Sequence, residues 1–428
     1  MRAAGFFFWG NEAMRHVLIG AGPAGVIAAE TLRKTDPSGE IILLGDEPEP
    51  PYSRMALPYY LIGTIDEPGT YLRKSATHFD DLGVELRHAR ATSVDPANQI
   101  VKLADGKTQP YDRLLVATGS STVKPPIAGI DLAGVHPCWT LADAREIVRL
   151  AAPDSHVVLM GAGFIGCIVL EALIKRGVKP TVVETADRMV PRMMNSTAGN
   201  LMKKWCQGKG IQVLTSTQIT GIEETDDPKN CLRVHLDTGE PLRAGLVVVA
   251  TGVRPNVGFL DGSGVETDFG IRVDHHLRSS VDNIFAAGDV ARGPDFMGGW
   301  SVHAIQPTAV EHGRIAALNM AGGNAAYQGS LSMNVLDTAG LVSASFGQWQ
   351  GVEDGGSVER LDENQYRYIR LEFEADKLVG AICLGRTDHI GTLRGLIQSR
   401  VRLGDWREKL MDDPHRITEA YVACTQGK

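Results

Sequence analysis

The sequence predicts an α/β protein: two Rossmann-like dinucleotide-binding units and a C-terminal α+β unit. Three observations carry this. A spaced glycine triplet behind an apolar run occurs twice, as Gly20-Ala-Gly22-Pro-Ala-Gly25 and as Gly161-Ala-Gly163-Phe-Ile-Gly166. Each copy closes, at a similar distance, on a second apolar run ending in Ala-Thr-Gly, at Ala117-Thr118-Gly119 and at Ala250-Thr251-Gly252. Beyond residue 325 the pattern changes to alternating strands followed by an amphipathic stretch.

The elements follow in order. His16-Val17-Leu18-Ile19 reads as a buried strand, followed by the glycine turn, a helix to about Lys34 and a second strand over Ile41–Leu44. In the second copy His156–Met160 is the strand, a helix runs to about Arg176, and Thr181–Glu184 is the next strand. In such a unit the first glycine permits a tight turn, the second lets the backbone approach a pyrophosphate, and the third lets helix and strand pack closely. The helix N-terminus then turns unpaired N–H groups and partial positive charge toward the phosphates. Gly161, Gly163, Phe164, Ile165, Gly166 and Gly252 are therefore candidate contacts of a nicotinamide dinucleotide. Glu184, at the end of the next strand, suits an adenosine ribose and repels a 2′-phosphate. NADH is favoured over NADPH on that ground, with nearby Arg188 keeping NADPH as the less favoured alternative. At the matching place in the first copy stand Asp46 and Glu47, suited to the ribose of FAD.

Composition narrows the class. The chain has 428 residues, 43% hydrophobic and 22% charged, as expected of a globular chain of two or three domains. Its 43 basic and 51 acidic residues give a net charge of −8, which argues against a general nucleic-acid binder. The six cysteines, at 138, 167, 206, 231, 383 and 424, contain no close pair. No disulfide framework or metal site is read from them, and a reducing cytoplasm is the expected location. No stretch is long and apolar enough for a membrane span. The opening 1–13, with Phe6-Phe7-Phe8-Trp9, is too short an apolar run for a signal core, and Met14 directly precedes the first strand, so 1–13 reads as an N-terminal extension from an upstream start.

A third landmark, Asn283-Ile-Phe-Ala-Ala-Gly288-Asp289-Val290, follows the second Ala-Thr-Gly. The ordered set GxGxxG, ATG, GxGxxG, ATG-x-RPN and AAGD resembles the FAD- and NAD(P)H-dependent pyridine nucleotide-disulfide oxidoreductase superfamily over roughly residues 14–325. The resemblance implies that Asp289 holds the ribityl chain of FAD and that Gln306–Met320 is a helix with its N-terminus at the flavin pyrimidine. There its partial positive charge favours reduced flavin, and Pro307 near the helix start needs no N–H. The FAD contacts so implied are Gly20, Gly22, Pro23, Ala24, Gly25, Asp46, Glu47, Arg54, Thr92, Ala117, Thr118, Gly119, Gly288, Asp289, Gln306 and Pro307. It implies a discontinuous FAD unit of 14–125 and 257–325, a NAD unit of 126–256 inserted in it, and an interface unit of 326–428. That last unit, with Lys377-Leu-Val-Gly-Ala-Ile-Cys-Leu-Gly385 and the amphipathic Ile390–Val401, is similar to the tail of NADH:rubredoxin reductases and of assimilatory nitrite reductases.

The missing thiol sets the chemistry. Disulfide reductases of the superfamily carry a cysteine pair beside the flavin and a related branch carries one cysteine. Aligning Leu57-Pro-Tyr-Tyr60 with that branch puts Met55 at the thiol position, and no cysteine lies between Gly25 and Gly119. Methionine forms no thiolate, so no disulfide relay is expected there. Pro51-Tyr-Ser-Arg54 instead resembles the reductases of rubredoxin, ferredoxin and nitrite reductase systems, which implies that Arg54 approaches the flavin or its phosphates. Where many ferredoxin reductases place a lysine and a glutamate as a pair, this chain has Tyr59 and Ile168, so orientation rather than an ion pair is expected to align the hydride. The expected reaction takes hydride from NADH onto FAD and passes electrons to a small iron–sulfur or rubredoxin-type carrier. An NADH oxidase and an electron-input subunit of a larger oxidoreductase are the alternatives. Chemistry sits at flavin N5 with no certain catalytic residue, flanked by Met55, Tyr59 and Gln306, and a homodimer is left open. Trp300 and His303 read as packing residues before the helix, His275-His276 as a solvated turn, and the basic residues between Arg188 and Ile222 as a charged helix face. Six basic residues of the tail, Arg386 to Lys409, outnumber three acidic ones and suit steering of an acidic carrier.

Overall fold

The computed structural model describes residues 13–426; the extension 1–13 lies, apart from Ala13, outside them. The first glycine copy folds as strand β1 (Arg15–Ile19), helix α1 (Pro23–Thr35) and strand β2 (Glu40–Gly45). These strands lie in a five-stranded parallel sheet ordered Ile284–Ala286, Arg113–Val116, β1, β2, Val84–His88. Its centre is fully apolar, with Val17, Leu18, Leu43 and Leu115 buried in one cluster with residues of α1 on one side and with Val94, Val101 and Leu103. Strand Ile284–Ala286 enters this sheet from far along the chain.

The second copy repeats the arrangement. Strand β3 (His156–Met160), helix α2 (Phe164–Lys175) and strand β4 (Lys179–Val183) belong to a parallel sheet ordered Gln212–Leu214, β4, β3, Leu246–Val249, Val135–Pro137. Each unit also carries a three-stranded antiparallel sheet ahead of its Ala-Thr-Gly, at Ala91–Asp95, Ile100–Leu103, Thr108–Pro110 and at Ile219–Glu224, Leu232–Leu236, Leu242–Ala244. The two units are tied where Asn256 donates to Thr118 O and Thr118 Oγ1 donates to Asn256 O.

Helix α3 (Gln306–Met320) packs along α1 in close contact, with Gly313 against the Ala24 carbonyl where a Cβ would stand at 2.3 Å. The C-terminal residues form a five-stranded antiparallel sheet, Met333–Thr338, Leu341–Gly347, Lys377–Leu384, Arg367–Glu374, Gly356–Asp362 in spatial order, followed by α4 (Ile390–Ser399) and the helices Trp406–Asp412 and Ile417–Gln426. One face of this sheet packs on its own helices through Phe346, Leu371, Leu393 and Leu396. Its other face, with Leu336, Leu341, Tyr368 and Leu384, joins the apolar cluster of the second glycine unit. Helix α4 stops two residues short of the amphipathic stretch because Arg400 turns to φ 48°.

Candidate active site

One cleft of about 1740 Å³ runs between the two glycine turns. Gly20 holds φ +112°, and a Cβ there would meet the Ala117 carbonyl at 2.2 Å, so this turn brings the first Ala-Thr-Gly against the first fingerprint. At Gly22 and Gly163 a Cβ would meet nothing within 4 Å. Each is the N-cap of its helix, with no side chain capping it, and both line the cleft. Two helix N-termini thus open uncapped onto one cavity, as the pyrophosphates of two dinucleotides require. Gly25 and Gly166 lie off the cleft wall and serve packing: a Cβ would stand 1.9 Å and 2.2 Å from the carbonyls of Gly20 and Gly161.

The acidic residues differ in their engagement. Glu184, buried one residue past β4, accepts hydrogen bonds from the N–H of Ala162 at 2.7 Å and of Ala186 at 2.8 Å. Asp46 stands at the same place past β2 and is exposed to the cleft. Glu47 is turned differently: it accepts from the Tyr52 hydroxyl at 2.5 Å and from Arg54 Nη2 at 2.6 Å. Arg54 also donates to the Trp139 carbonyl at 2.6 Å and to the Tyr52 hydroxyl at 3.0 Å. Burial, opposed by the nearby guanidinium, raises the Tyr52 hydroxyl well above its ordinary range, so it stays a donor. Arg54 lines the cleft as the hub of a wall joining both units. The sequence reading named neither Tyr52 nor Trp139 as its partners.

At the far wall α3 begins at Gln306, whose Oε1 accepts from Ser53 Oγ at 2.5 Å. Its N-cap Ile305 supplies no capping side chain, so this third helix N-terminus also faces the cleft uncapped. Pro307 is exposed and off the cleft wall. Asp289 lines the cleft, accepts from Ser120 Oγ at 3.0 Å, and is pushed above the usual carboxylate range by burial, with Ser120 and Arg54 opposing. Behind it the Gly288 N–H donates to His312 Nδ1 at 3.3 Å, and the His312 ring meets Tyr327 edge-on. Met55 and Tyr59, 51% and 58% exposed, stand at the mouth, and Ile168 lines the wall beside them.

Several expectations are corrected. Thr92 is exposed, donates to the Lys102 carbonyl within the first antiparallel sheet, and does not line the cleft, because the chain leaves the parallel sheet before reaching it. His303 lines the cleft and is bonded to Asp295 at 3.0 Å and Ser301 at 2.8 Å, rather than packed among aromatic side chains. His275 and His276 do stand in a turn, His275 exposed, and each ring also bonds a backbone carbonyl, of Tyr327 and Ala325. Between Arg188 and Ile222 most cations are engaged internally, Lys204 with Glu363 and Lys203 with Thr215, while Arg192 is exposed on the cleft rim. Cys138 also lines the cleft, but burial first and Asp143 second push its thiol up to about 12, so it is no thiolate at neutral pH. Among the described residues no group of side chains is placed to hold a metal.

Two uncapped helix N-termini, an acid at the end of the following strand in each unit, and a third helix aimed at the space between them define a two-nucleotide oxidoreductase. The model of the pyridine nucleotide-disulphide oxidoreductase family matches residues 14–313, and that of the rubredoxin NAD+ reductase C-terminal domain matches residues 333–401. The chain belongs to the pyridine nucleotide-disulphide oxidoreductase family. It is similar to the epsilon subunit of an NADH-dependent phenylglyoxylate dehydrogenase from Aromatoleum evansii, 30% identical over 97% of this chain and 98% of that one. It is 35% identical to a rhodocoxin reductase from Rhodococcus erythropolis over 74% of each chain. The putidaredoxin reductase of a covalent complex with putidaredoxin superposes with a TM-score of 0.88 at 25% identity, covering 96% of this chain and 99% of that one.

Proposed function

We propose that this flavoprotein reductase takes hydride from NADH and passes the electrons to an iron centre carried by another protein. The observation that carries the reading is one cleft shared by two nucleotide cradles, with Met55 at its mouth and a single buried thiol, Cys138, among the described lining residues. FAD, when bound, supplies a centre that accepts a hydride and gives electrons back singly. The chain's own part is to bind and align. Residues 14–125 and 257–325 hold FAD through Gly22, Asp46, Arg54, Ser120 and Asp289. Residues 126–256 hold NADH through Gly163 and Glu184, whose carboxylate is already ordered by two main-chain N–H groups. The N-terminus of α3 sets positive potential at the reacting end. Residues 326–428 form the interface unit, and their strand Met333–Thr338 closes the cleft with Asn334 and Val335.

A small iron–sulfur or rubredoxin-type carrier fits the rhodocoxin reductase likeness. Service as the electron-input subunit of a larger enzyme fits the match to a dehydrogenase subunit along nearly its whole length. The test is anaerobic rapid mixing of the purified yellow protein with NADH and with NADPH, followed by one- and two-electron acceptors. Fast bleaching by NADH and slow reaction with oxygen support the reading. A protein that carries no flavin, or one that turns over rapidly with oxygen alone, overturns it.

A further inference from the structure

At one corner of the C-terminal sheet the chain gathers positive charge around a separate cavity of about 160 Å³, which shares no lining residue with the nucleotide cleft. Arg360 comes from the edge strand Gly356–Asp362, and Arg367 lies directly opposite Asp362 on the neighbouring strand, so side-chain alternation brings all three to one side. Arg386 follows the strand Lys377–Leu384, His389 is the N-cap of α4, and His415 precedes the helix Ile417–Gln426. Three guanidiniums and two imidazoles therefore line the cavity against a single carboxylate, Asp362.

The protein neutralises this cluster only in part, with Asp362 opposite Arg367 and Asp413 acting on His415. Arg360 donates to the Glu359 and Asp412 carbonyls, and Arg386 meets Asp388 at 3.5 Å, a pair open to solvent. Arg367 has no side-chain hydrogen bond or ion pair among the described residues. His415 is held below its ordinary range by burial, then by Arg386, with Asp413 opposing and with His389 and Arg360 adding to the depression. Like charges drawn this close are unfavourable unless an anion joins them.

We infer that this corner binds one tetrahedral oxyanion, a phosphate group, either free or carried as a phosphoryl ester. The cavity is too small for a dinucleotide, and planar guanidinium forks on neighbouring strands suit phosphate oxygens in pairs. The proposal is independent of the electron-transfer reading.

The test is titration calorimetry on the flavin-loaded full chain, with inorganic phosphate in one arm and glycerol 3-phosphate in the other, at fixed ionic strength. One saturable site is expected, weakened about tenfold or more in the R367Q/R386Q double variant by loss of charge-assisted bonds. The rate of flavin reduction by NADH is expected to be unchanged in that variant. Tighter binding of the ester assigns the site to a phosphorylated ligand, and tighter binding of phosphate to the free anion. Absence of saturable binding in both arms overturns the proposal, as does binding that the double variant leaves intact. Should the double variant fold poorly, R367Q alone, at an exposed side chain, gives the same reading.

Discussion

Glu184 Oε2 accepts the N–H of Ala162 at 2.7 Å, tying the acid at the end of β4 to the glycine turn of its own unit. With Oε1 taking the Ala186 N–H, the carboxylate is fixed before any ribose arrives. Replacing Glu184 by Ala removes both anchors and the ribose acceptor. The KM for NADH is expected to rise about tenfold, equivalent to about 1.4 kcal/mol, with kcat little changed because the lost contact serves ground and transition states alike. Steady-state kinetics with NADH and NADPH checks this, and the preference between them should narrow.

Gly22 and Gly25 separate binding from folding. Gly22→Val projects into the open cleft, so the variant should melt like the parent when both are stripped of flavin and yet retain little FAD, read from the ratio of flavin to protein absorbance. Gly25→Ala forces a Cβ to 1.9 Å from the Gly20 carbonyl and should lower the melting temperature of the stripped protein itself.

His312 gives a pH dependence with a definite sign. Burial lowers it to about 3, so the folded protein keeps the ring neutral where an unfolded chain would protonate it near 6.5. Stability from this group is whole above about pH 6.5 and falls as pH drops toward 3, with a slope of at most about 1.4 kcal/mol per pH unit. His312→Gln should remove that proton from the melting profile between pH 6.5 and 4. Because the Gly288 N–H loses its acceptor geometry, the variant should also release FAD more readily at neutral pH.

Thiol chemistry should be dispensable. Cys167 and Cys206 are buried with their thiols pushed up by desolvation, and Cys138 likewise, whereas Cys231 and Cys424 are partly exposed. Alkylation of the native protein at pH 8 should label Cys231 and Cys424 first, by mass spectrometry, with no loss in the rate of reduction by NADH. Met55→Leu should be equally silent in that rate.

The parallel sheets, both glycine turns and the start of α3 were legible because each rests on local rules: a strand run, a turn that only glycine fits, and a helix start. Glu184 and Asp46 were legible for the same reason, standing one residue past a strand. What escaped was contact over long sequence separation. Arg54 with the Trp139 carbonyl, Ser53 with Gln306, and Asp289 with Ser120 join segments whose spacing carries no periodic signal. Thr92, taken as an FAD contact from the resemblance alone, was misplaced because nothing local in the sequence marks the antiparallel insert that carries it away from the cleft. The Asp295–His303 pair escaped because its two chemically ordinary side chains stand eight positions apart, across a turn and a short strand.

The C-terminal sheet is sandwiched, with its strand Met333–Thr338 packed on helix α2 and Leu336, Tyr368 and Leu384 sealed into the apolar cluster of the units upstream. Anyone building chimaeras to redirect the current toward a foreign recipient therefore cannot transplant residues 326–428 wholesale without stripping a greasy wall from the donor body. The exchangeable portion is the outer helical veneer, which touches the remainder mainly through its own sheet.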